Sequence, residues 1–238
     1  MTTILGITAN SGVEGVVIAA DRQINDYEDP PHEVKFIKKE QTQKIAYGRD
    51  WIIADAGGVS NQFAVFLNLE KNKIKKMIYH AVQRFYEHPK SKKPHFPEIN
   101  EINTWARRND VEEDCLHAMV LAAKVDRKIG LWYVDEFGNL KESKKEFYLT
   151  LGSGSEYVTK HLTALSEKGS FDQNAITMPG AIDLATICLE VAEQDPNTGG
   201  LDLAVLTQKG VKYYGDFIKQ TLERQKNYMI NSIKKNYR

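Results

Sequence analysis

The chemistry this chain offers begins at its second residue. The sequence opens Met1-Thr2-Thr3-Ile4-Leu5-Gly6-Ile7-Thr8. Removal of Met1 would leave Thr2 with a free α-amine and a hydroxyl, a nucleophile beside its own base. An unperturbed α-amine has a pKa of about 7.7–8, so near neutral pH it can accept the hydroxyl proton. With Met1 in place the same nitrogen is an amide and cannot serve as a base. Five further places carry residue types suited to chemistry. Asp21 ends one apolar run and Lys44 opens another. Gly57-Gly58 follows Ile52-Ile53-Ala54-Asp55-Ala56, and Gly152-Ser153-Gly154-Ser155 follows Leu151. Asp195-Pro196-Asn197-Thr198-Gly199-Gly200 precedes the apolar run from Leu201. Singly, these read as a strand-end aspartate, an edge lysine, two loops and a helix C-terminus with glycine stops.

The elements around them follow from pattern and turn chemistry. Thr3 to Thr8 and Val16 to Ala20 are β-rich runs separated by Asn10-Ser11-Gly12-Val13-Glu14-Gly15, which predicts a hairpin. Asn25 to Pro31 reads as a polar loop. Lys44 to Tyr47 and Trp51 to Ala54 form a second hairpin around Gly48-Arg49-Asp50. Ser60 or Asn61 is placed to cap a helix whose spacing runs from Phe63 to about Tyr86. Pro89 to Pro97 is a loop, and a second helix covers about Ile99 to Arg107. Strands return at Leu116 to Val125, Lys128 to Val134 and Glu146 to Leu151, with Asp135 to Asn139 as a turn. One helix follows Gly152-Ser153-Gly154-Ser155, and another covers about Ala181 to Ala192 with Ile182, Leu184, Ala185 and Leu189 apolar. A last hairpin pairs Leu201 to Thr207 with Val211 to Tyr214 across Gln208-Lys209-Gly210. Strands, two helices, strands, two helices and strands in that order favour an α+β fold over alternating βαβ units. With no linker and no internal repeat, residues 1–238 read as one domain, carrying a basic helical tail from about 216 to 238.

Composition excludes several classes. The 32 basic and 32 acidic residues cancel, so no net field draws the chain to nucleic acid or an anionic membrane. No apolar run is long enough for a transmembrane helix, and no signal peptide is expected. Cys115 and Cys188 have no CxxC partner and read as reduced core residues of a cytoplasmic protein.

In order and spacing these places resemble the proteasome β-subunits and the bacterial ATP-dependent ring peptidases, which are N-terminal nucleophile hydrolases. The resemblance runs from about Thr2 to Tyr214. It rests on Thr2-Thr3-Ile4-Leu5-Gly6-Ile7 with Val17-Ile18-Ala19-Ala20-Asp21-Arg22, on Gln43-Lys44-Ile45-Ala46, on Ala54-Asp55-Ala56-Gly57-Gly58-Val59-Ser60-Asn61, on Leu151-Gly152-Ser153-Gly154-Ser155, and on Asp195 to Val205. It implies a four-layer αββα sandwich. It also implies Thr2 as nucleophile and Asp21 pairing with Lys44 to hold it beside the threonine. A buried ammonium there would lower the amine's pKa and keep it a neutral base. Gly57 would give its N–H to the oxyanion, and Ser153 would bond the amine and relay protons. Asp195 would support both, with Thr198 where serine is usual. Asn61 departs from the family's aspartate. The Lys44 to Gly57 spacing is one residue off the archaeal pattern, which leaves Ala56 and Gly58 as alternative registers.

The family's activity is amide hydrolysis of peptides or unfolded proteins, with no metal or other cofactor, inside a homo-oligomeric ring that can work with an ATPase unfoldase. The absence of a longer propeptide before Thr2 is closer to the bacterial ring peptidases. Two alternatives stay open. The acyl-threonine could pass to an amine, making a transpeptidase or narrow amidase. With Met1 retained, the chain would be a non-catalytic ring subunit.

Overall fold

Alternation along the strands sets the architecture. In a β-strand, successive side chains point to opposite faces. Leu5 and Ile7 of β1 (Thr3–Ala9), Val17 and Ala19 of β2 (Gly15–Ala20), and Leu203 and Val205 of β11 (Asp202–Thr207) share one buried cluster. Their neighbours Ile4, Val16, Ile18, Ala20, Ala204 and Leu206 lie in a second. Both faces of these three strands are therefore dry, and they read as largely apolar runs.

These positions come from a computed structural model. It describes residues 2–22, 24–26, 37–39, 44–56, 71–89, 91, 93–108, 118–143, 147–169, 172–196 and 198–215. Within them the fold is mixed α and β, with two five-stranded antiparallel sheets and four helices. The first sheet runs β10-β1-β2-β11-β12, where β10 is Tyr148–Gly152 and β12 is Gly210–Tyr213. The second runs β5-β6-β7-β8-β9, made of Ile45–Tyr47, Trp51–Ala56, Ala118–Val125, Lys128–Val134 and Leu140–Glu142.

The sheets meet through Ile4, Ile18 and Leu206 on one side and Ile45, Ile52, Val120 and Leu131 on the other. Against the outer face of the first sheet pack Val158 and Leu162 of α3 (Ser155–Glu167) and Ala185, Cys188 and Leu189 of α4 (Met178–Ala192). The second sheet turns Trp51, Ile53, Leu121 and Trp132 toward Ile74, Ile78 and Val82 of α1 (Lys71–Glu87) and Ile99 of α2 (Pro97–Arg108).

The three expected hairpins form, with β1 on β2, β5 on β6 and β11 on β12. Three readings change. The expected loop from Asn25 begins inside a two-stranded ribbon, β3 (Ile24–Asp26) paired with β4 (Ile37–Lys39). Past the turn at Asp135, Leu140–Glu142 adds an edge strand. The Asp135 carboxylate accepts from Phe137 N and Asn139 N and so folds the chain back onto β8. Helix α4 starts at Met178, not Ala181, because Thr177 Oγ1 caps it by accepting from Gly180 N at 3.2 Å. Met1, Ser60, Asn61, the start of the first long helix, Cys115 and the tail from 216 lie outside the described residues.

Among the described residues no helix is long and apolar enough to cross a membrane.

Candidate active site

β1 brings the N-terminal threonines into the first sheet between two partners. Thr3 lies opposite Gly152 of β10, and Ile4 lies opposite Ala20 of β2. Thr2 O accepts from Ser153 N at 3.0 Å, which extends the pairing one residue past the strand. Gly152 turns the chain there with φ +100. A side chain at this position would collide with the Thr2 carbonyl.

Asp21 follows the last residue of β2 and is 0% exposed. Its main chain returns to β1 through Asp21 N to Thr3 O at 2.9 Å, and its Oδ1 accepts from Thr3 N at 2.6 Å. Lys44 precedes β5, on the opposite sheet, and its side chain is 11% exposed. Its Nζ donates to Asp21 Oδ2 at 2.9 Å and Oδ1 at 3.1 Å, and to Thr2 Oγ1 at 3.0 Å. Thr2, Asp21 and Lys44, far apart in sequence, thus form a triangle around one ammonium. Thr2 itself is only 5% exposed.

Burial lowers the Lys44 pKa below 10.5, although Asp21, Asp55 and Asp202 all act to raise it. Desolvation of the ammonium outweighs three carboxylates. A lysine with a lowered pKa beside a hydroxyl can exchange a proton with it more readily than an ordinary lysine.

A second chain of hydrogen bonds stands beside the first. Gly154 N donates to Thr3 Oγ1 at 2.9 Å. Thr3 Oγ1 and Thr198 Oγ1 are 2.7 Å apart, and Thr198 Oγ1 donates to Asp195 Oδ2 at 3.3 Å. Since Thr198 gives its proton to the carboxylate, Thr3 must donate to Thr198. Asp195 and Thr198 therefore support the Thr3 hydroxyl, one residue beyond the expected nucleophile.

No protein-family model matches the chain, and no curated protein matches it.

The structure brings Lys44 into direct contact with both Thr2 and Asp21, and Ser153 against the Thr2 main chain. The Ser153 hydroxyl is buried with no hydrogen-bond partner among the described residues. Gly57, the expected oxyanion donor, and its alternative Gly58 lie outside the described residues. Ala56, the other alternative, closes β6. Among the described residues no group of three or more His, Cys, Asp or Glu is arranged to hold a metal ion.

Two residues of the network are not among the expected site residues. Thr3 reads as an ordinary strand threonine. Asp202 is a fully buried acid heading the apolar run Leu203-Ala204-Val205-Leu206. That placement, a charge where a core strand begins, is the one cue that could have singled it out.

Proposed function

We propose that this chain is a threonine-type peptidase that hydrolyses amide bonds with Thr2 after Met1 is removed. The observation that carries this reading is the Lys44 ammonium, 3.0 Å from Thr2 Oγ1 and 2.9 Å from the buried Asp21. The freed α-amine takes the hydroxyl proton as Oγ1 bonds to the substrate carbonyl carbon. The hydrogen bond from Lys44 steadies the oxygen as it loses that proton. Gly57 N–H serves the oxyanion in this reading. The amine then protonates the departing amine of the substrate, leaving an ester on Thr2. Water, giving a proton to the amine, attacks the ester carbonyl; the acyl C–Oγ1 bond breaks, the carboxylic acid product leaves, and the amine returns the proton to Thr2 Oγ1.

The fold reading that goes with it is the four-layer αββα sandwich of the N-terminal nucleophile hydrolases. It is supported by the three buried clusters, one between the sheets and one on the outer face of each. Peptides or unfolded segments are the proposed substrates, handled within a homo-oligomeric ring.

The test starts with the intact mass of the purified protein, to establish Met1 removal. A peptide β-lactone, which esterifies nucleophilic hydroxyls, is then added and the adduct mapped. The adduct is expected on Thr2, with none in Thr2→Ala and no peptide hydrolysis by that variant. Retained Met1, or undiminished hydrolysis by Thr2→Ala, would sink the proposal.

A further inference from the structure

Lys44 and its two partners at the site belong to different sheets. Thr2 and Asp21 are carried by the first sheet, while Lys44 enters β5 of the second. The distance from Nζ to Thr2 Oγ1 therefore depends on how the two sheets are set against each other, as well as on the Lys44 rotamer. Something must fix the Lys44 main chain to the sheet that holds the threonine.

Asp202 is placed to do this. It is the first residue of β11 and lies opposite Ala20, the residue before Asp21. Ala20 and Ala204 both face the core between the sheets. Asp202 shares that face, by the two-residue period of the strand. Its Oδ2 accepts from Lys44 N at 3.2 Å, across the gap between the sheets. Its Oδ1 accepts from Tyr213 OH at 2.9 Å and faces Arg22 Nε at 3.5 Å. Tyr213 in turn stacks on Tyr47 of β5 at 5.0 Å, a second link between the sheets at the same edge.

A carboxylate with no exposure is costly to bury unless donors converge on it. Here a backbone N–H and a phenol donate to it, with the Arg22 guanidinium in ion-pair range, and the backbone N–H belongs to Lys44.

We propose that Asp202 is a positioning residue for the lysine: it fixes the Lys44 main chain while Asp21 fixes the ammonium. The role rests on the peptidase reading above. Lys44 is then gripped at both ends, with its Asp21-bound ammonium donating to Thr2 Oγ1. The charge of Asp202 also acts on the ammonium, together with Asp21 and Asp55.

The experiment uses the full chain with ¹³Cε-labelled lysine, the Lys44 signal being assigned with Lys44→Arg. In Asp202→Asn, which keeps the shape and one acceptor, the Lys44 titration midpoint should fall, because a carboxylate that raises it is gone. The pH profile of Thr2 acylation by the β-lactone should move with it. Tyr213→Phe keeps the charge and should lower thermal stability without moving the midpoint. A Lys44 midpoint unchanged in Asp202→Asn, with only thermal stability reduced, would overturn the role.

A measurement on the unaltered protein guards against an unfolded variant. The Lys44 amide lies just before β5, so its protection against hydrogen exchange should match that of the core strands. Immediate exchange there would also overturn the proposal. If unaltered protein fails to acylate while Lys44 still responds to Asp202→Asn, it is the peptidase reading that has failed.

Discussion

Replacing Lys44 with methionine removes one ammonium and three hydrogen bonds, two to Asp21 and one to Thr2. Asp21 keeps Thr3 N as a donor but loses its cation while remaining fully buried. Removing one partner of a buried pair costs about 3–5 kcal/mol, because the other charge is left uncompensated. Burying methionine in place of a desolvated lysine returns about 1–2 kcal/mol. The expected net loss is about 1–4 kcal/mol at neutral pH, read from urea unfolding. Lys44→Met/Asp21→Asn, which removes both charges, should recover to within about 1 kcal/mol of the unaltered protein. Acid should narrow the deficit of the single variant. Without its cation, the folded Asp21 carboxyl binds a proton more tightly than the unfolded one does. Stability of the variant then rises as pH falls from neutral toward the ordinary aspartate value of about 3.9, by up to about 1.4 kcal/mol per unit. In the unaltered protein Lys44 acts at the other end of the scale. Its folded pKa lies below 10.5, so the unfolded chain binds more protons in that window. Its contribution to stability grows as pH rises toward 10.5, and the double variant lacks that slope. A single variant that loses under about 1 kcal/mol, or a double variant no better than the sum of its parts, would refute the reasoning.

Gly152→Ala should cost about 3 kcal/mol, seen as a lower Tm, because φ +100 and the Thr2 carbonyl both oppose a side chain. Thr198→Val leaves the Thr3 hydroxyl and Asp195 without their shared partner and should cost about 1–3 kcal/mol in urea unfolding, while Thr198→Ser should stay within about 0.5. Burial pushes the Cys188 thiol up to about 12, so alkylation at pH 8 should leave it unmodified in the native protein and modify it in denaturant, by peptide mapping.

The hairpins were legible because their turns are local. Gly48-Arg49-Asp50 and Gln208-Lys209-Gly210 state their geometry in a few residues. The partners across the first sheet were not, since nothing near Thr3 encodes Gly152 and nothing near Ala20 encodes Asp202. Short strands escaped for a different reason. Leu140–Glu142 holds a single apolar residue, and its pairing is directed by the Asp135 carboxylate instead of by periodicity. At the site, Lys44 and Asp21 could be named only by resemblance, because a lysine opening a strand is ordinary until its partner is known. The detour of Asp195 and Thr198 to Thr3 was hidden for the same reason: it depends on which face of β1 each hydroxyl takes.

The place of β1 inside its sheet has a consequence for the order of events during synthesis. Thr3 leaves the ribosome long before Gly152, and β2 long before its other neighbour β11. Until those late strands arrive, the early hairpin has no sheet to join, and pairings of such long sequence separation form slowly. Lys44 can meet Asp21 early, but the support from Ser153, Thr198 and Asp202 comes only with the later part of the chain. A nascent or truncated chain therefore carries the threonine without the surroundings that would make it reactive. If Thr2 is the nucleophile we propose, completion of the fold becomes the switch that turns its chemistry on.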